Sequence, residues 1–380
     1  MTAEVELQAL GSQELGDSPE PTASRPAVLS VSTAKRLILD YGMIWAAVIT
    51  VVVCQVLFSG FLSLANIRVM LNEGAPLGII AVGQTLVILV GGFDLSVGAV
   101  LAMTSVVYAT WAQHNTLFLA GFVAMLFGLV FGLVNAALVT RFKINAFIAT
   151  LATGSAIGGF SYIYSKSLPI TVNKPAFATL GTANWGGVPI DAWLMLGAFV
   201  VFQLLLRYLK YGRSIYAVGG NREAARLMGL RVSALTGSCF VVSALLAGFG
   251  GLIMASHLSL GEANFSGNFA LDSIAIVVIG GTTLSGGEGS IWRTAVGFVI
   301  IESITDLLNA KAVNSEWSDV VVGAILVGAV GMDYLTRRLR DSSGRRNVRG
   351  AGSKPLTSGS RDVGEQSVAP VVSREVGKGR

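Results

Sequence analysis

The sequence predicts an all-α polytopic membrane protein of about ten transmembrane helices, with broken helices and an internal repeat. Three observations predict it. The 380 residues are 53% hydrophobic and 13% charged, with a mean hydropathy of +0.67, whereas soluble domains carry roughly 25% charged residues. The apolar residues fall in long continuous runs, such as MIWAAVITVVVCQVLFSGFL at 43–62; a membrane barrel would show short alternating segments instead. The basic residues collect in alternate loops, as the positive-inside rule requires of a multi-pass chain.

Residues 1–34 are polar, with Glu4, Glu6, Glu14, Asp17 and Glu20 against a single Arg25. No apolar stretch follows an early basic cluster, so the segment reads as a disordered tail and not as a cleavable signal. Residues 35–340 form the transmembrane domain. Apolar blocks place its spans at 43–62, 75–92, 95–113, 117–139, 146–164, 193–209, 235–257, 271–285, 291–309 and 318–335; about 20 residues are needed to cross the hydrocarbon core. Small polar residues interrupt the fifth and eighth. Residues 341–380 are rich in Gly, Ser and Arg and are expected to be a second disordered tail. The 46 glycines suit close helix packing. Cys54 and Cys239 lie inside apolar runs and read as small packing residues. His114 and His257 stand at span ends without metal-ligand spacing, so interfacial or packing roles are expected.

Orientation follows the basic loops. Lys35 and Arg36 precede the first span, and Arg141 and Lys143 follow the fourth. Arg207, Lys210, Arg213, Arg222, Arg226 and Arg231 fill 207–231, and Arg337, Arg338 and Arg340 follow the last span. With ten crossings all four positions fall on the cytoplasmic side, both termini are inside, and 165–192 is outside.

Two blocks resemble each other. Residues 91–98 read GGFDLSVG and residues 280–287 read GGTTLSGG, identical at five of eight positions, and each ends an apolar run. Transporters are often built from repeats whose discontinuous helices form the substrate site. Six predicted crossings between the blocks make the repeat parallel; a re-entrant segment would make it inverted. A buried Asp94 is costly unless it faces water, a partner or the bundle interior, and irregular backbone at membrane depth needs protein or a wet cavity around it. Two readings stay open. Asp94 can cap a helix beginning at Leu95 by accepting from Ser96 or Val97 N–H, with Thr283 capping after the second block. Asp94, Ser96, Thr282, Thr283 and Ser285 can also line a substrate path, with Gln84 and Thr85 nearby. Glu302 and Asp306, four apart, are the acids best placed for ion coupling; they are expected at the outer end of their span, solvated.

The loop YGRSIYAVGGNREAARLMGLRVSAL at 211–235 contains a short amphipathic helix. Asn221 is a good N-cap, Glu223 and Ala224 suit its first turn, and Gly229 its stop. Two turns are marginal in water, so the helix needs a partner surface. The chain has no G-x-x-x-x-G-K-[ST] phosphate loop, and SGGEGS at 285–290 lacks the lysine, so it is not itself an ATPase.

Three blocks, AVGQTLVILVGGFDLSVGAVLAMTS (81–105), YAVGGNREAARLMGLRV (216–232) and LDSIAIVVIGGTTLSGGEGSIWRTAVG (271–297), resemble the permease subunits of bacterial ABC importers for ribose, xylose, arabinose and related monosaccharides. Branched-chain amino acid permeases are more distant. The resemblance implies a second permease copy around one path, an extracytoplasmic sugar-binding protein, and a cytoplasmic ABC ATPase that uses ATP. No cofactor in this chain and no nucleic-acid partner are expected; its setting is the lipid bilayer of the bacterial inner membrane. Glu223, Ala224, Ala225 and Gly229, capped by Asn221, match the EAA-x-x-x-G coupling element of such permeases. The alternatives are an ion-coupled secondary carrier acting without an ATPase, and a non-transporting membrane scaffold.

Overall fold

The computed structural model describes residues 42–314 and, beyond them, 317, 320–325, 327, 328 and 331. Both predicted tails, half of the tenth predicted span and the basic residues at 35–36 and 337–340 lie outside the described residues. The chain divides into two compact units, 1–323 and 324–380.

In the first unit, besides the single turn Thr179–Thr182, the α-helices are α1 (Gly42–Leu57), α2 (Leu64–Leu89), α3 (Val97–His114), α4 (Leu117–Thr140), α5 (Ala146–Ser165), α6 (Ile190–Tyr208), α7 (Lys210–Gly220), α8 (Arg222–Leu227), α9 (Val232–Leu258), α10 (Phe269–Ile279) and α11 (Ile291–Ala310). Among the described residues five helices, α2, α4, α5, α6 and α9, are long and apolar enough to cross a membrane. Sheet is confined, among those residues, to two short antiparallel pairs. Ile170–Thr171 (β1) pairs with Leu260–Gly261 (β4), and Asn184–Trp185 (β2) with Val188–Pro189 (β3). The β2–β3 turn is Gly186-Gly187, both at positive φ, as a two-residue hairpin loop demands.

The centre of the bundle is α9 packed on α2, α3 and α4. The C-terminal half of α2 and most of α3 are buried on every side, which fits their apolar residues being spread around the helix instead of striped. Small residues bring the backbones together. A Cβ on Gly83 of α2 would sit 2.8 Å from Ser243 Cα of α9, and one on Gly132 of α4 would sit 2.9 Å from Val241 Cα. The outward faces of α1, α4 and α6 carry exposed large apolar residues, including Val52, Phe122, Val130 and Val201.

Two predicted boundaries are corrected. α2 begins at Leu64, not near 75, and runs through Pro76. Ser63 caps it, accepting from Asn66 N–H at 3.2 Å. Its polar first third lowers the hydropathy, but two of those side chains are bonded to distant acids: Asn66 donates to Asp306 at 2.7 Å, and Asn72 to Asp191 at 2.9 Å. The eighth predicted span, 271–285, is the eleven-residue α10. At 1.5 Å per residue it is about 16 Å long, roughly half the hydrocarbon core. A glycine pair stops it at Ile279.

The segment between α5 and α6 packs over the ends of α3 and α9. Lys174 Nζ donates to the carbonyls of Ala112 (2.5 Å) and Asn115 (3.2 Å) at the end of α3. Phe177 stacks on Tyr108 with ring centroids 4.7 Å apart.

Candidate functional site

The first break comes at the end of α2. Gly91 N–H donates to Ile88 O at 2.8 Å and Gly92 N–H to Val87 O at 2.9 Å, with Gly91 at φ +73°. This is a Schellman stop, which needs a left-handed residue after the helix. Asp94 comes next and is fully buried. Its Oδ1 accepts from Ser96 N–H (3.0 Å) and Ser96 Oγ (2.6 Å), and its Oδ2 accepts from Ser243 Oγ of α9 (3.0 Å). Asn135 of α4 donates to Ser96 Oγ at 2.8 Å, and Thr153 of α5 donates to Asn135 Oδ1 at 2.6 Å. The chain of bonds ties α3, α4, α5 and α9 to one carboxylate. Both its oxygens are occupied, which is how a carboxylate is accommodated away from water. The expected helix start at Leu95 is corrected: α3 begins at Val97 after Ser96, and Asp94 forms a turn just ahead of it by taking the Ser96 N–H.

The second break ends α10 with the same stop. Gly281 N–H donates to Val278 O at 2.8 Å and Thr282 N–H to Val277 O at 3.2 Å, with Gly281 at φ +84°. Beyond the stop the two differ. Thr283 does not cap α11, which starts at Ile291. Its hydroxyl donates to Gly286 O (3.1 Å) and Glu288 O (3.3 Å), closing its own loop. Thr282 Oγ1 is buried with no hydrogen-bond partner among the described residues. Ser285 is exposed on the loop.

The two breaks meet through backbone, not through the predicted side chains. Gly287 N–H donates to Leu89 O at 2.9 Å. The end of α7 lies against both: a Cβ on Gly219 would run into Leu89 O and Gly287 N, and Tyr216 Oη donates to Gly289 O at 2.8 Å. Arg222, the first residue of α8, donates to Val90 O at 2.8 Å and reaches Gly91 O at 3.5 Å. Beside it opens a cleft of about 480 Å³ lined by Lys143, Asn145, Arg222, Arg226 and Thr236 among others, with no acid.

α8 carries the predicted coupling residues as a unit. Asn221 Oδ1 accepts from Glu223 N–H (3.0 Å) and Ala224 N–H (2.9 Å). Gly229, at φ +82°, ends the turn with its N–H on Arg226 O (2.9 Å) and Leu230 N–H on Ala225 O (3.1 Å). Ala225 is buried, while Leu227 and Met228 are 82% and 69% exposed.

Other expectations are overturned. Glu302 and Asp306 are buried, not solvated. Asp306 accepts from Asn66, and the Glu302 carboxyl lies where a Cβ on Gly74 would meet it at 2.7 Å; packing of α11 on α2 covers them. His257, expected in an interfacial or packing role, adds a polar contact to it: its Nε2 lies 2.5 Å from Asp191 Oδ2. Sequence reasoning missed Arg222, Gly219 and Ser243 as members of the site. Arg222 looked like one loop cation among six, and the Gly219-Gly220 pair before Asn221 was the available signal.

This is a polytopic helical membrane protein with two glycine-stopped helices joined to a short, largely exposed helix. Comparison with known proteins gives the family. Residues 66–330 match the branched-chain amino acid transport system / permease component family, and the chain belongs to it. It is similar to the ribose import permease RbsC of Haemophilus influenzae, 35% identical over 311 residues that cover 80% of this chain and 96% of that protein. The RbsC of Bacillus subtilis is 37% identical over 288 residues, covering 75% and 89%. An L-arabinose ABC transporter permease, AraH of Azospirillum brasilense, is 33% identical over 326 residues, covering 85% and 96%. No solved structure matches.

Proposed function

We propose that the chain is the permease subunit of an ATP-driven importer for a monosaccharide, of the pentose kind named for its relatives. The observation that carries the coupling half of this reading is α8, a capped two-turn helix that holds Leu227 and Met228 in solvent. The Ala225 side of α8 rests on α7 and α9, which steadies so short a helix and leaves its Leu227–Met228 side open to a partner. An ABC ATPase that consumes ATP is the proposed occupant. Residues 35–340 are the transmembrane domain in this reading, two copies enclose the path, and an extracytoplasmic sugar-binding protein delivers substrate on the 165–192 side. The chain sits in the bacterial inner membrane with both termini in the cytoplasm and needs no cofactor of its own.

Asp94 and Ser96 shape the path by fixing the start of α3, since their polar atoms are already engaged with protein. Thr282, Thr283 and Ser285 stand on the second break, and Thr282, whose buried hydroxyl has no hydrogen-bond partner among the described residues, is the better candidate for transient sugar contact.

The test is reconstitution with the cognate ATPase and binding protein in liposomes. Uptake of ribose, arabinose or xylose that requires ATP and the binding protein supports the proposal. The burial of Glu302 and Asp306 favours the ion-coupled carrier as second reading. That reading wins if this chain alone accumulates sugar on an ion gradient and Glu302→Gln abolishes it.

A further inference from the structure

The residues that match the family's coupling pattern, Glu223, Ala224, Ala225 and Gly229, lie on α8 and in the turn that ends it. Arg222 bonds to the first break, and it stands outside that pattern.

The last carbonyls of a helix lack intrahelical donors, and they carry the negative end of the helix dipole. The two Schellman bonds of α2 use Ile88 O and Val87 O. Leu89 O, Val90 O and Gly91 O need other donors. The Gly287 N–H takes Leu89 O at 2.9 Å. The Arg222 guanidinium takes Val90 O at 2.8 Å. The donors at the end of α2 therefore come from the second break and from the first residue of the coupling helix. Gly91 lies only a few residues before Asp94 and Ser96, the centre of the bonds that join α3, α4, α5 and α9.

The rest of the junction is stiff. Gly219 leaves no room for a Cβ between Leu89 O and Gly287 N, and one on Gly287 would meet Gly220 Cα at 2.8 Å. Tyr216 holds Gly289 O at 2.8 Å. Backbones in direct contact move together, because packed interiors transmit displacement and do not absorb it.

From this the geometry points to Arg222 as the positioning residue that carries motion of the 221–229 helix into the first break, with Gly219 and Tyr216 carrying it into the second. The inference rests on the reading of α8 as the ATPase docking helix. It adds a route: docked helix, Arg222, carbonyls of Val90 and Gly91, Asp94, and from there the starts and sides of four helices.

The experiment uses the full chain assembled with its ATPase and binding protein in liposomes, reading sugar taken up per ATP hydrolysed. Arg222→Gln should keep ATP hydrolysis within about twofold of wild type and lower the uptake ratio at least tenfold. Arg222→Lys keeps a cation within reach of a carbonyl and should recover at least half of the ratio. Arg207→Gln, which removes a nearby cation at the end of α6, should leave the ratio unchanged. Wild-type coupling in Arg222→Gln overturns the inference, as does an equal loss in Arg207→Gln. A second measurement avoids dependence on variants: in the wild-type complex, a non-hydrolysable ATP analogue should change amide exchange across residues 88–96 at least twofold, and no change overturns the inference. A wild-type chain that gains no uptake from any ATPase overturns the docking reading and this route together, whereas a coupled wild type with a coupled Arg222→Gln overturns the route alone.

Discussion

The two breaks share a stop and differ in the residues just beyond it. At the first, the residues after the glycines build a buried network around Asp94 that reaches three other helices. At the second, Thr283 bonds only to its own loop, the buried Thr282 hydroxyl has no hydrogen-bond partner among the described residues, and Ser285 is exposed. Even the glycines trade places. Gly91 is the left-handed residue of the first pair, and Gly92 packs against Phe240 and Val87; in the second pair Gly280 packs under the Arg293 carbonyl and Gly281 is left-handed. The sequence blocks align at a spacing of 189, but the left-handed glycines, 91 and 281, align at 190. A glycine pair specifies that a helix ends; the side chains beyond it decide whether the end is a fixed anchor or a looser loop.

The largest test of this contrast is Asp94→Ala against Thr283→Ala. Asp94→Ala leaves the Ser96 N–H and the Ser96 and Ser243 hydroxyls without their acceptor. At about 1–3 kcal/mol per stranded buried group, it should cost about 3 kcal/mol or more. Thr283→Ala should cost about 1 kcal/mol. Thermal unfolding of the purified chain measures both, and equal losses would remove the distinction between anchor and loop.

The glycines come next. Gly91→Ala and Gly281→Ala each place an L side chain at positive φ and should lose about 1–2 kcal/mol, whereas in the other role Gly280→Ala should cost more than Gly92→Ala. A Cβ at 280 runs into fixed backbone, but one at 92 meets side-chain atoms at 3.1 Å and 3.2 Å that can shift. The same unfolding assay ranks them; the reverse order would show that the one-residue offset between the stops has no packing meaning.

Asn221→Ala removes the α8 cap and should cost about 1 kcal/mol locally. Its effect should be larger on sugar uptake per ATP than on the unfolding midpoint; an unchanged ratio would count against α8 as the coupling surface. The smallest effect is expected for Glu223→Gln. Its 3.0 Å pair with Arg226 is about two thirds exposed on both sides, and water screens such pairs to within about 0.5 kcal/mol. An unfolding shift well beyond that would mean that the α8 surface is covered within this chain.

Much of the fold is legible in the residues. The apolar runs mark nearly every described helix, because crossing hydrocarbon requires a length of apolar side chains that soluble helices rarely need. The α8 cap and stop are local, so Asn221 and Gly229 announce them. The start of α2 is not legible: Asn66 and Asn72 look like loop residues until Asp306 and Asp191 arrive from distant helices. Glu302 and Asp306 mislead for the same reason, since the packing of α11 on α1 and α2 removes them from water.

The sequence by itself determined that the chain is a bundle of membrane helices, where two of them stop, and which short helix lies in a basic loop. These follow from hydropathy, glycine conformation and capping, all of which act within a few residues. Only the tertiary structure decided that the stops touch, that Arg222 closes the end of α2, and that Asp94 is satisfied by Ser96 and by Ser243, 149 residues away. Those contacts join residues far apart in the chain, and a hydrogen-bond donor is chosen by which helices pack together, a choice that no local pattern records.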